Sequence, residues 1–151
     1  MKLHSWIMAS LFGLVFMTGA NAAGECRQYM LSGTYLTTAS GWATVATSPI
    51  PIFAPVVVIG TLSMDDSGNL ASTSQFTNVI GGQTFTDTLN AGSKVTVNDD
   101  CTVTFKASCA GGCSWEGTGY FTRSTSEIDV IFTKTVGYPL TLAMKLKQIS
   151  K

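Results

Sequence analysis

Histidine is almost absent from this sequence, and its absence removes whole classes of chemistry. The only histidine is His4, near the N-terminus. Without one, the rest of the chain cannot use Ser-His-Asp or Cys-His catalysis, and it cannot hold a histidine-ligated metal. These are the chemistries of most familiar secreted hydrolases, so the sequence argues against that class of enzyme. We expect neither a metal nor a cofactor.

Charge is scarce as well, because charged residues make up 12% of the chain and the formal net charge is zero. No basic patch is visible, which argues against nucleic acid and anionic membranes as partners.

The first 22 residues have the pattern of a secretory signal peptide. Lys2 and His4 precede an apolar run over 6–17, and 20–22 is a small-x-small cleavage site. The run is too short to span a membrane, and no later run is long enough. We therefore predict a periplasmic or secreted protein with a single domain over 23–151. Removal of Lys2 leaves 8 basic and 9 acidic residues, a net charge of −1.

A long 3.6-residue apolar period is also missing, and short alternating runs separated by Gly, Asn, Asp or Pro take its place. This pattern predicts an all-β fold, an antiparallel up-and-down barrel of eight or nine strands, in which closure removes exposed edges. A barrel of this size is filled by side chains or holds one small ligand. The predicted strands are 28–38, 55–64, 70–80, 83–89, 94–97, both arms of 100–123, 127–136 and 140–147. Because proline lacks a backbone donor, 39–54 with its Pro49 and Pro51 is predicted to be irregular.

The clearest strand pair lies within 100–123. A three-residue turn at 110–112 pairs residues whose numbers sum to 222. One face is then apolar and is predicted to point inward, and the other pairs Lys106 with Glu116 as an exposed ion pair. If the polar face lined the lumen instead, these two residues would contact a ligand. The apolar face includes Phe105, Trp115 and Phe121.

The chain has four cysteines, and an even count in an exported protein favours disulfides. Cys109 and Cys113 lie opposite each other across the predicted turn, which suits the Cα separation of a disulfide. Cys26 and Cys101 would then close a long loop, and we favour this pairing over the other two connectivities. Zinc is a weaker hypothesis for a C-x3-C pair without histidine.

Four short motifs resemble a group of small exported bacterial proteins. They are GTY at 33–35, GTL at 60–62, DSGNL at 66–70 and VNDDCT at 97–102. These proteins are similar to calycin-type barrels and are sometimes grouped with the allene oxide cyclase barrel. The resemblance implies the barrel alone, because no functional residue of the cyclases matches a position here. Val103 stands where the group has glycine, and the tip at 109–113 is an addition.

Our main functional hypothesis is a non-enzymatic barrel that binds a small apolar ligand or acts in the envelope or outside the cell. Its candidate ligand-binding residues, which core packing explains equally well, are Tyr29, Tyr35, Trp42, Phe105, Trp115 and Phe121. Trp42 follows Gly41 in the predicted irregular stretch, where it would lie at the barrel mouth or in a lid.

Two further hypotheses come from other classes of protein. A cyclase- or isomerase-like barrel could use Glu116 and Tyr35 as candidate catalytic residues. A filled barrel could instead act as a surface interaction module. The acidic turns at 65–69 and 98–100 are predicted to be turn chemistry, with calcium binding as the alternative.

Overall fold

The computed structural model describes residues 25–46, 50–136 and 140–151. The predicted signal peptide over 1–22 and the predicted strand break at 137–139 therefore lie outside the described residues. Within them the chain forms a short 3₁₀ helix, Gln28–Leu31, and one nine-stranded sheet. The strands are β1 (Gly33–Ala46), β2 (Ile52–Met64), β3 (Gln75–Ile80), β4 (Gln83–Thr88), β5 (Lys94–Val97), β6 (Thr102–Ser108), β7 (Ser114–Thr122), β8 (Glu127–Val136) and β9 (Leu140–Ser150).

The strands follow an antiparallel meander that curls until β1 pairs with β9, in the order β4-β3-β2-β1-β9-β8-β7-β6-β5. This confirms the predicted all-β antiparallel barrel. β4 and β5 are the two edges of the sheet, and short contacts join the end of β4 to the end of β6. Leu89 bridges Cys109, and the Asn90 amide donates to the Ser108 carbonyl at 2.8 Å.

The N-terminal segment covers one end of the barrel, which we call the base. Cys26 forms a disulfide with Cys101, and the Cys26 amide donates to the Asp99 carbonyl at 3.0 Å. The Gln28 side chain donates to the carbonyl of Val95 and accepts from the amide of Val97. These two bonds satisfy backbone groups on the free edge of β5, which would otherwise be a site for unwanted strand pairing.

The β6–β7 hairpin has the predicted register, with Phe105 opposite Gly117 and Lys106 opposite Glu116. Gly112 supplies the positive φ of its turn, at 83°. The predicted Lys106–Glu116 ion pair was wrong, because the Glu116 carboxylate lies 3.9 Å from the Lys134 ammonium. β8 brings this second lysine to the other side of Glu116, and the hairpin sequence alone carries no information about it.

Two boundaries near the N-terminus were also predicted incorrectly. Residues 28–31 form the 3₁₀ helix and not the start of a strand. Most of 39–54 belongs to β1 and β2, in which Trp42 pairs with Pro55. The β2–β3 ladder begins only at Val56, and the Pro55 carbonyl faces that side, where it accepts from Gly81. The nitrogen of Pro55, which has no hydrogen to donate, faces β3 at a point where the β2–β3 ladder has not yet begun. The proline therefore interrupts no hydrogen bond of that ladder.

Alternate side chains point into the barrel and form one apolar core, as the period-2 pattern predicts. Tight bending of the wall depends on glycine at inward positions of β7. A Cβ atom at Gly119 would overlap the carbonyl oxygen of Asp129 on β8. Glycine therefore lets β7 and β8 approach closely where the sheet bends, as strongly curved sheets require.

We predict unequal contributions to stability from the two disulfides. Cys26 and Cys101 are 75 residues apart, whereas Cys109 and Cys113 are 4 apart. On the loop-entropy relation, double serine substitution of the first pair should lower the free energy of unfolding by about 4.5 kcal/mol and that of the second by about 2 kcal/mol. Urea unfolding measures both changes. An equal or larger loss for the short pair would contradict the role given to the base.

Candidate functional site

The barrel lumen is almost filled by its own side chains. A cavity among the described residues has a volume of about 30 Å³, which is that of a single water molecule and far below the roughly 300 Å³ of a small-molecule site. Two edge-to-face ring pairs occupy this part of the lumen, Phe76 with Trp115 at 5.8 Å and Phe105 with Phe132 at 5.6 Å. The lining residues are Ala39, Val58, Phe76, Asn78, Phe105, Trp115, Phe132, Leu142 and Met144.

Polar groups gather at this cavity, toward the end opposite the base. The Asn78 amide donates to the Asp87 carboxylate at 2.9 Å, and both residues face inward from neighbouring strands. The buried indole N–H of Trp115 has no hydrogen-bond partner in the described part of the chain. The cavity therefore combines an apolar wall with one unused donor and one amide, which could together orient a small acceptor group.

The predicted ligand-binding residues are not brought together. Phe105 and Trp115 line the cavity, whereas Tyr35 and Phe121 are buried elsewhere in the core. Tyr29 lies at the base with 61% of its surface exposed. The placement of Trp42 in an irregular lid was wrong, because it projects outward from β1 with 57% exposure.

The two candidate catalytic residues lie on opposite sides of the wall. Glu116 points outward, where it meets Lys134, and therefore does not face the lumen. Tyr35 points inward, and burial raises the pKa of its hydroxyl to about 12. A tyrosine with such a pKa stays protonated at neutral pH and is a poor general base.

In the described ranges, the clustered groups that could hold a metal already form a disulfide or hydrogen bonds within turns. Asp87, Cys109 and Cys113 cluster within 4.8 Å, but the two sulfurs form a disulfide and offer no thiolate. In the acidic turns, Asp65 accepts from Asn69 and Asp100 accepts from Thr102. These hydrogen bonds lower the pKa of both carboxyl groups, and they are the bonds expected of ordinary turns.

The outer surface of β1, β2 and β3 carries no charge, and exposed apolar side chains alternate there with hydroxyl side chains. None of these three strands contains a charged residue, and none occurs between Arg27 and Asp65. Register places Trp42 beside Pro55 and Val57 beside Val79, so the exposed apolar side chains are neighbours. We call this surface the apolar wall, and its apolar members are Leu36, Trp42, Phe53, Pro55, Val57, Ile59 and Val79.

The wall formed by β6 to β9, which we call the opposite wall, carries charge up to the border of the apolar wall, because β9 pairs Lys145 and Lys147 with Thr38 and Leu36. It has a groove of about 740 Å³ lined by threonines, Tyr120 and Ile131. The Lys145 ammonium lies 3.4 Å from Asp129 and 3.5 Å from Glu127. These carboxylates, Asp129 foremost, raise the pKa of Lys145. The apolar wall is thus a local feature and not a general property of this barrel's exterior.

Sequence reasoning missed both the apolar wall and the polar pair in the lumen. The wall has a signal in the sequence, because 28–64 is a run without charge in which bulky apolar residues alternate with small ones. The sequence signal for Asn78 was weaker. Asn78 lies two residues from both Phe76 and Ile80 and therefore points to the same, inward face of the strand, where a polar side chain is unusual. The partnership of Asn78 with Asp87 depends on the β3–β4 register, which no single strand reveals.

Tyr35→Phe tests whether this hydroxyl has more than a packing role. The Tyr35 hydroxyl has no hydrogen-bond partner among the described residues, so its removal should leave the free energy of unfolding at pH 8 unchanged or about 1 kcal/mol higher. In the wild type, stability should fall from pH 10 toward 12, because an unfolded tyrosine loses its proton near 10 and the folded one near 12.

Urea unfolding at pH 8 and pH 11 measures both effects. The phenylalanine variant should lose less stability between the two pH values than the wild type, and the exposed Tyr29→Phe control should behave as wild type. A loss above about 1 kcal/mol at pH 8 would show that the Tyr35 hydroxyl has a partner.

Comparison with known proteins supports the architecture. A scan against protein-family models finds no match, and a search of curated proteins also finds none. Among solved structures, the chain is similar to a de novo designed fluorescence-activating β-barrel. The identity is 18% and the TM-score 0.50, over 84% of this chain and 96% of the designed one. At that identity the likeness shows the fold alone, which is a β-barrel.

Proposed function

We propose that this protein is an exported, calycin-like barrel that acts as an interaction module, with its apolar wall docked against an apolar face of a partner protein. The barrel serves as a rigid support, and its lumen is a packed core. Two disulfides support the export part of this proposal, because such bonds persist in oxidising compartments. No helix in the described part of the chain is long and apolar enough to cross a membrane.

The observation that carries the proposal is the contrast between a filled inside and an apolar outside. Side chains that small-barrel carriers would use to line a lumen are here packed against each other around about 30 Å³. Meanwhile Trp42 and Phe53 expose 57% and 62% of their surfaces on the apolar wall. Large contiguous apolar patches without charge mark interaction sites on soluble proteins.

The composition of the wall favours a protein partner over lipid. Hydroxyl side chains alternate with the apolar ones, and Ser40 and Thr38 pair across from Val57 and Ile59. Burial of a hydroxyl in hydrocarbon costs several kcal/mol because nothing there can bond to it. A protein surface supplies backbone and side-chain partners, so the same hydroxyls can be satisfied in an interface.

Site-specific photocrosslinking in intact cells tests this proposal. A benzophenone side chain placed at Val57 should give protein adducts several-fold more abundant than the same group at Ile131, because only the first position lies on the apolar wall. Ile131 is a matched control, since it is an exposed strand residue on the opposite wall, 64% accessible against 47% for Val57. Equal adduct yields from both positions would contradict the proposal.

A second candidate is carriage of a small apolar ligand with an acceptor group. It rests on the unpartnered Trp115 indole N–H, which with Asn78 lines the cavity. Because the cavity of about 30 Å³ is too small for such a ligand, Phe76 and Phe132 would have to move apart on binding.

Native mass spectrometry of protein purified from its own host separates the two candidates. The interaction-module proposal predicts polypeptide masses without a small-molecule adduct. Carriage predicts an additional few hundred daltons that Trp115→Phe weakens, whereas the outer-wall variant Trp42→Phe does not. A stoichiometric adduct with this pattern would replace our main proposal with the second.

A further inference from the structure

We propose that the tip of the β6–β7 hairpin becomes a metal site when its disulfide is reduced. The ligands are the thiolates of Cys109 and Cys113 and the carboxylate of Asp87, whose ligand atoms lie within 4.8 Å of one another. Zn²⁺ binds cysteine sulfur and carboxylate oxygen in a tetrahedral arrangement, in which a water molecule can be the fourth ligand. This inference goes beyond the proposed function and does not depend on the apolar wall.

Backbone hydrogen bonds hold the two cysteines opposite each other independently of the sulfur–sulfur bond. The Cys109 amide donates to the Cys113 carbonyl at 2.9 Å, and the Gly112 amide donates to the Cys109 carbonyl at 3.1 Å. The Asn90 side chain donates to the same Cys109 carbonyl at 2.9 Å. Because reduction breaks none of these bonds, the sulfurs need only separate to about 3.8 Å, the spacing of two thiolates on one tetrahedral Zn²⁺.

Asn78 orients the Asp87 carboxylate for this role. Its side-chain amide donates to the Oδ2 atom of Asp87 at 2.9 Å, and hydrogen bonds of this kind fix the direction of metal-ligating carboxylates. The Oδ1 atom lies toward Gly111, where an added Cβ atom would be 3.5 Å from it and 3.8 Å from the Cys109 sulfur. No basic side chain forms an ion pair with Asp87 in the described part of the chain. One carboxylate oxygen and one sulfur therefore share a small volume beneath the tip.

A backbone donor also faces the sulfur. The Cys113 amide donates to the Cys109 sulfur at 3.2 Å. A hydrogen bond to a thiolate favours the charged form, which is the form that binds a metal. Both cysteines are buried, whereas the tip residues 110–112 are exposed, so a reductant and a metal ion would approach the sulfurs through the tip.

Metal binding follows a thiol–disulfide exchange. A dithiol transfers two electrons and two protons to the Cys109–Cys113 disulfide, which gives two protein thiols and the oxidised form of the dithiol. Zn²⁺ then replaces one proton on each thiol, and both protons pass to solvent. Exchange with the oxidised dithiol reverses both steps and releases the metal. The Cys26–Cys101 pair has no carboxylate at such a distance within the described ranges, so its reduction should create no comparable site.

Titration of the reduced mature protein with Co²⁺ in the absence of oxygen tests this inference. Reduction with a phosphine, followed by desalting, leaves no added thiol to compete for the metal. We expect one Co²⁺ per chain, with a thiolate-to-cobalt charge-transfer band and the intense visible bands of tetrahedral cobalt, whereas the oxidised protein should show neither. Zn²⁺ should displace the Co²⁺ and raise the thermal midpoint of the reduced protein, because it binds the folded state.

Matched variants distinguish this site from binding to free thiols in general. Asp87→Asn should weaken Zn²⁺ binding at least about tenfold, whereas Asp129→Asn should leave it within about twofold of wild type. Cys109→Ser should abolish the charge-transfer band. The double variant Cys26→Ser/Cys101→Ser should keep the band after reduction, because it loses only the other pair.

Three results would overturn the inference. The first is a reduced protein that binds no Co²⁺ or binds it without a charge-transfer band, and the second is equal Zn²⁺ affinity in Asp87→Asn and Asp129→Asn. The third is a reduced chain that unfolds and that Zn²⁺ does not refold. None of these results would bear on the apolar wall, which photocrosslinking at Val57 tests separately.

Discussion

The pairing of β1 with β9 is the contact on which the rest of this structure depends. It joins β1 to β4 with β5 to β9, over Thr34 to Ala43 on β1, and so makes one curled sheet of nine strands. The curl fixes which face of every strand is inside, because side chains alternate along each strand. The base reinforces the same curl, since the Cys26–Cys101 disulfide and the Gln28 side chain hold the N-terminal segment against β5 and the turn before β6.

A curled sheet of this size leaves little room inside once its inward side chains are placed. Phe76, Phe105, Trp115 and Phe132 project from β3, β6, β7 and β8 into the same volume. β1 compensates by contributing only small residues at this level, Ala39, Gly41 and Ala43. The lumen is consequently a core, and large side chains of β1 and β2 near this level, such as Trp42 and Phe53, are exposed on the outside. The apolar wall is thus the outer face of strands whose inward side chains at this level are small.

This arrangement of small inward and large outward side chains also explains which parts of the fold the sequence could predict. The register of the β6–β7 hairpin was predicted correctly because its inward face is apolar, its outward face is polar and glycines mark the turn. The second half of β1 and the first three residues of β2 were missed because their inward residues are small and their outward ones are large, so the usual polarity signal is reversed. Pro49 and Pro51 strengthened that error, although Pro51 lies just before β2 begins at Ile52. The Asn78–Asp87 pair was beyond prediction because it depends on an inter-strand register.

The central claim, that the apolar wall is covered in the working protein, can be tested at Trp42 itself. Once the predicted signal peptide with Trp6 is removed, Trp42 and Trp115 are the remaining tryptophans, so Trp115→Phe leaves Trp42 as the sole indole reporter. Acrylamide quenching of its fluorescence should fall several-fold, with a blue-shifted emission, when the protein is mixed with the partner captured by crosslinking through Val57. An indole that stays fully quenchable in that mixture would contradict the claim.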